Sequence, residues 1–157
     1  FVSPPQHDQP HDLTPTLVKR LVGMPGDTIY MRDGLFHING IAQRLGYGAG
    51  QPGMGGDHAD PLFVWQKPFE VRGSRFGSPP AQPTLDNWGP LVVPSAHLFM
   101  LGDSRYNSKD GRYWGFVPRE NVRGRPLFVY YSYEPNPDSP VPWITDIRWS
   151  RIGHRIR

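Results

Sequence analysis

Residues 18–27 read Val18-Lys19-Arg20-Leu21-Val22-Gly23-Met24-Pro25-Gly26-Asp27, and residues 28–43 continue as TIYMRDGLFHINGIAQ. This stretch decides the fold. Proline pre-sets φ at the first central turn position and glycine accepts positive φ at the second, so Pro25-Gly26 signals a type II turn. The strand predicted over Val18–Met24 therefore stops at a defined place, and Lys19 sits at its head. Thr28–Arg32 and Leu35–Ile38 read as the next strands, with Ile41–Gln43 after them. Asp33-Gly34 and Asn39-Gly40 between them are type I′ hairpin signals. The pattern is an antiparallel meander.

Composition agrees. The 157 residues include 18 glycines, 19 prolines and 13% aromatics, which together favour a domain of many turns and short strands over a disordered chain. The net charge of +3 is mild, and outside Arg148, Arg151, Arg155 and Arg157 the basic residues are scattered. No motif supports nucleic-acid binding; the basic end suits an anionic lipid surface equally well. Without cysteine there are no disulfides, thiolate nucleophiles or Cys-type zinc sites. No apolar run reaches the roughly 18 residues of a membrane span. Only three of the 17 basic side chains are lysines (Lys19, Lys67, Lys109), so lysine is not this chain's default cation. Arginine stays charged, whereas a desolvated lysine loses its proton and can serve as a base.

Working outward, residues 3–16 are a proline-rich loop; His7 and His11 have helical metal-site spacing, but Pro10 opposes a helix. Residues 44–61 read as a long glycine-rich loop without a core role. Leu62–Arg72 reads as a strand bent at Pro68, and 44–90 as an insertion of variable character. Leu91–Pro94 and His97–Leu101 read as strands, Leu127–Tyr133 as a long strand, and Ile144–Trp149 as a strand or a short helix. Residues 102–115, GDSRYNSKDGRYWG, follow an apolar strand and are dense in mutually hydrogen-bonding groups. Asp103, Arg105, Asp110 and Arg112 suffice for two charge-assisted pairs that would stiffen this loop.

Residues 18–27 with the following IYMRDGLFHING, and residues 102–117 with their GD-x-R-x-NS-x-D-x-R order and Trp-Gly-Phe-Val-Pro exit, resemble two boxes of the type I signal peptidases. These are membrane-bound bacterial serine proteases that remove signal peptides from exported proteins. The resemblance covers roughly residues 17–43 and 91–133, with a weaker likeness over 144–156. It implies a mostly β fold: a signal-peptidase-like assembly of antiparallel sheets with long Gly/Pro-rich loops, forming one periplasmic catalytic region over 1–157. It implies a Ser–Lys dyad in which Lys19 is the general base and Ser108 orients its amine. Asp110 and Arg112 fall on a structural ion pair, and Asp103 and Arg105 on further support positions. A lysine of ordinary pKa about 10.4 must be desolvated to act as a base near neutrality. Gly111 departs from the family's usual serine. No metal or cofactor is implied.

The family's nucleophilic serine belongs to a Ser-Met-x-Pro-Thr box ahead of the lysine strand, and these residues do not contain that box. Residues 12–17 echo it with aspartate in place of serine, but abut the lysine strand. The expectation is a downstream portion of the catalytic region, inactive alone, whose full-length protein works at the outer face of the cytoplasmic membrane. Its partners would be signal peptides and the lipid surface. The alternatives are a non-catalytic β-domain that kept the scaffold for binding or maturation, and a related Ser–Lys protease with another substrate.

Overall fold

The computed structural model describes residues 16–45, 59–73, 75–134, 136–138 and 140–156. The loop carrying His7 and His11, and most of 44–61, lie outside these residues. The chain divides into two compact units, 1–123 and 124–157.

In the first unit the meander forms from its second strand onward as its turn chemistry dictates, whereas its first strand leaves it and pairs instead with residues 99–101 in another sheet. Strands β1 (Arg20–Gly23), β2 (Thr28–Arg32), β3 (Leu35–Ile38) and β4 (Ile41–Ala42) follow one another. Asp33 and Gly34 have φ of 49° and 74°, and Asn39 and Gly40 of 52° and 87°. These are the paired left-handed conformations of type I′ turns, whose twist matches that of the flanking strands. Ile29 faces Ile38 and Met31 faces Phe36 across β2 and β3. Strand β5 (Trp88–Val92) closes the other edge against β2, giving a four-stranded antiparallel sheet ordered β4-β3-β2-β5.

The second sheet joins β1, β6 (His97–Leu101) and β7 (Val117–Pro118) in the order β1-β6-β7, again antiparallel. Strand β6 reads as a nearly continuous apolar run because both of its faces are covered. Successive side chains alternate faces. Phe99 and Leu101 join Ile29, Met31, Phe36, Trp88, Leu91 and Val93 in the main core. Leu98 and Met100 point the other way, onto Val117 with Leu17 and Trp114 beside them.

The segment Leu62–Arg72 is not a strand. Pro61–Phe69 is a 3-10 helix, capped by Asp60, whose carboxylate accepts from Leu62 N at 2.9 Å. Proline suits the first helical turn, where its missing N–H has no intrahelical acceptor. Phe63 and Gln66, three residues apart, form the buried stripe, as expected where positions i and i+3 eclipse. The strand expected from Leu91 begins earlier, at Trp88, because Arg32 holds that backbone: its guanidinium donates to the carbonyls of Met31, Trp88, Ser78 and Gly89 at 2.7–3.1 Å. With Phe63 and Trp88 fully buried, residues 59–92 carry part of the core.

In the second unit, Leu127–Tyr133 is not a strand either. Its β contacts are isolated bridges, Phe128 to Arg155 and Tyr133 to Ile147. A β-rich sequence forms a ladder only where a partner and a buried face exist, and here Leu127, Phe128 and Tyr130 are exposed. Pro142–Thr145 forms a helical turn and Trp149–Arg151 a 3-10 turn, so of residues 144–149 only Ile144, Thr145 and Trp149 are helical, and Ile147 makes the bridge to Tyr133.

Candidate active site

Register builds the site. In the antiparallel β1–β6 pair Arg20 lies opposite Leu101, so the residue before Arg20 runs alongside the residue after Leu101. Lys19 is thereby carried to the Gly102 loop. Its Nζ donates to Ser108 Oγ at 2.7 Å and lies 5.7 Å from the centre of the Trp114 ring. Both Lys19 and Ser108 are half-buried. A neutral hydroxyl thus fixes the direction of the amine without adding charge.

Ser108 reaches the lysine because Gly102 lets it. A Cβ on Gly102 would fall 2.0 Å from Ser108 Oγ and 2.4 Å from Ser108 Cβ. The loop between them is braced from inside. Asp110, fully buried, accepts from Gly102 N at 2.9 Å and, on both oxygens, from the Arg112 guanidinium at 2.9 and 2.7 Å. It also caps the single helical turn α1 (Gly111–Trp114) through Arg112 N. Arg112 reaches on to the carbonyl of Arg105, and Arg105 Nε donates to Gly102 O at 3.0 Å. Buried charges persist only where paired and hydrogen-bonded, and the Asp110–Arg112 pair meets both conditions. Burial, then the neighbouring Arg112, lowers the pKa of Arg105 from its ordinary value.

Asp103 is held by Arg20, through two bonds of 2.6 and 2.8 Å. The reason is register: Arg20 opposes Leu101, two residues from Asp103, whereas Arg105 is turned inward to Gly102 O. The hydrogen bond from Arg20 lowers the Asp103 pKa. This clamp ties the lysine strand directly to the serine loop. Sequence reasoning passed over Arg20, although its place beside Lys19 was the available signal. It also missed Gly102, Trp114 and Trp65, whose indole Nε1 donates to Arg112 O at 2.8 Å.

Gly111, where the resemblance expects serine, has a local cause. A Cβ there would lie 2.7 Å from Met100 O and 2.8 Å from Phe99 Cε2. The Phe99 ring occupies the space a larger residue would need. Gly111→Ser is therefore expected to destabilise the fold by about 1–3 kcal/mol through overpacking, read as a lowered melting temperature. A second change, Phe99→Leu, should recover part of the loss; an unchanged melting temperature for Gly111→Ser alone would refute the steric account.

Among the described residues no group of three His, Asp or Glu side chains is placed to hold a metal ion. The site brings together a half-buried amine, a hydroxyl aimed at it, and a buried ion pair holding the hydroxyl's loop, all on an antiparallel β scaffold. Residues 1–131 match the family model described as signal peptidase, peptidase S26, and the chain belongs to that family. It is 32% identical over 160 residues to signal peptidase I of Pseudomonas fluorescens, covering 92% of this chain and 51% of that protein. Against signal peptidase I of Pseudomonas aeruginosa the identity is 31% over 150 residues, covering 87% of this chain and 49% of the relative. A shorter match to signal peptidase I of Aquifex aeolicus reaches 56% over 70 residues, 41% of this chain and 27% of that protein. The chain spans about half the length of the curated relatives that it matches along most of its own length.

Proposed function

We propose that this chain carries the general-base half of a signal peptidase I-type serine endopeptidase that cleaves signal peptides from exported proteins. Lys19 takes the proton from the attacking serine hydroxyl and later from the deacylating water. Ser108 holds the amine in line, and Asp103, Arg105, Asp110 and Arg112 keep the Ser108 loop in place. The nucleophile in this reading is the serine of the family's Ser-Met-x-Pro-Thr box, which does not occur in the 157 residues. The observation that carries the reading is the 2.7 Å contact between Lys19 Nζ and Ser108 Oγ. A lysine at a strand head needs no such partner for folding; a base that must present one lone pair to a hydroxyl does.

The working place in this reading is the outer face of the bacterial cytoplasmic membrane. Among the described residues no helix is long and apolar enough to cross a membrane. The second unit exposes Leu127, Tyr130 and Trp149 together with Arg148, Arg151 and Arg155, a combination of aromatic and basic side chains suited to an interfacial lipid layer.

The full-length protein in detergent micelles is expected to cut a precursor bearing a signal peptide at one bond, after a small residue. Mass spectrometry of the released mature protein reads the new N-terminus. A precursor left intact after prolonged incubation at equimolar enzyme would refute the activity.

A further inference from the structure

The loop that presents Ser108 is anchored inside by the Asp110–Arg112 pair and toward the lysine strand by Arg20. A further anchor reaches it from outside the boxes that resemble a peptidase. Tyr106, two residues before Ser108, donates its hydroxyl to Asp86 Oδ1 at 2.9 Å. Asp86 is 6% exposed, and its own backbone is fixed, since its carbonyl accepts from Gly34 N at 3.1 Å in the β2–β3 turn. The acceptor is thus rigidly mounted on the four-stranded sheet, while the donor sits on the turn closed by Asn107 N to Ser104 O at 3.1 Å. At its far end the same loop is held by Trp65, whose ring packs at 3.2–3.4 Å from where a Cβ on Gly115 would stand. Both outside anchors come from residues 59–90, the stretch whose composition reads as an insertion.

We propose that Asp86 and Tyr106 form a positioning pair that fixes Ser108, and through it the Lys19 amine, so that residues 59–90 are a working part of the proteolytic site. The inference rests on the peptidase reading for its kinetic consequence but not for its structural one. Neither residue touches the amine. Tyr106 acts by restricting the turn of which Ser108 is the next element, and Asp86 by supplying a buried acceptor that does not move. Losing the bond frees the turn without unfolding the core, because Gly102, Asp110 and Arg112 keep their own contacts. The consequence is a lower fraction of molecules with Ser108 at hydrogen-bonding distance from Lys19, and so a fall in kcat with no change in substrate affinity.

Tyr106→Phe, Asp86→Ala and Asp86→Asn in the full-length protein test this. Hydrogen–deuterium exchange across 103–109 should quicken in Tyr106→Phe and Asp86→Ala, with β2 and β3 unchanged. Loss of one hydrogen bond predicts a fall of about fivefold to tenfold in kcat, at constant KM, on a precursor substrate. Asp86→Asn keeps an acceptor oxygen and should retain most of the activity. Tyr106→Phe combined with Asp86→Ala should be no slower than Asp86→Ala alone, since Asp86→Ala already removes the bond that Tyr106→Phe breaks. Unchanged exchange at 103–109, a fall expressed in KM, or multiplicative loss in the double variant would each overturn the proposal. If the wild type leaves the precursor uncut, the peptidase reading fails while the exchange measurement still decides the pairing.

Discussion

Lys19→Met is expected to lower kcat for precursor cleavage by at least about a thousandfold, the range general-base catalysis commonly contributes. Methionine matches the lysine stem in length and flexibility, so it fills the same half-buried position beside Trp114 and removes only the amine. Lys19→Arg should be as inactive, because a guanidinium remains charged under all working conditions and cannot accept a proton. KM should stay within a few-fold in both, since the amine is used when the proton moves and not when the peptide binds; a loss confined to kcat is the signature of an interaction made in the transition state. Melting temperatures should be close to wild type, because Lys19 is half-buried and its amine meets only neutral groups, the Ser108 hydroxyl and the Trp114 ring, among the described residues. Residual kcat within tenfold of wild type in Lys19→Met would remove the lysine from the mechanism. Ser108→Ala separates base from support: it keeps the amine and loses only its orientation, so it should fall less far than Lys19→Met.

How much of this was legible before the fold was known varied by the physics involved. The part of the meander from Thr28 to Ala42 was readable because its determinants are local: each Asx-Gly pair adopts left-handed dihedrals that few other residues tolerate, and the three strands they join have nowhere else to go. Strand β6 was readable for the opposite reason, as an apolar run between a turn and Gly102. What misled was propensity without a partner. Residues 62–72 and 127–133 are both rich in aromatic and β-branched side chains, yet the first is turned helical by Asp60 and Pro61, and the second, with Leu127, Phe128 and Tyr130 exposed, makes only isolated bridges. In the site, both the Lys19–Ser108 contact and the pairing of Asp110 with Arg112 were implied by the resemblance. The pairing of Asp103 with Arg20 was not, because it depends on the β1–β6 register across 83 residues, which no local pattern encodes. The same holds for Trp65 and Asp86.

Gly102→Ala should be the most damaging single methyl group in this part of the molecule. The added Cβ would stand 2.0 Å from Ser108 Oγ and 2.4 Å from its Cβ, far inside any contact real atoms make. The backbone cannot yield easily: Gly102 N is held by Asp110 and Gly102 O by Arg105, while Leu101 before it is fully buried in the core. Ser108 must therefore give way, and a retreat of about 1 Å takes its hydroxyl out of hydrogen-bonding range of the amine. Misplacement on that scale costs on the order of a hundredfold in rate, so kcat should fall by about that factor with KM little changed. The decisive comparison is with Ser108→Gly, which loses the hydroxyl and the crowding together. If Gly102 matters only because it seats Ser108, the double variant Gly102→Ala with Ser108→Gly should be no slower than Ser108→Gly alone, as expected for two changes acting on one contact. A double variant that falls by the product of the two single effects would give Gly102 a role independent of Ser108. A Gly102→Ala enzyme with wild-type kcat would show that the loop can relax around the methyl group and that the serine need not sit where it does.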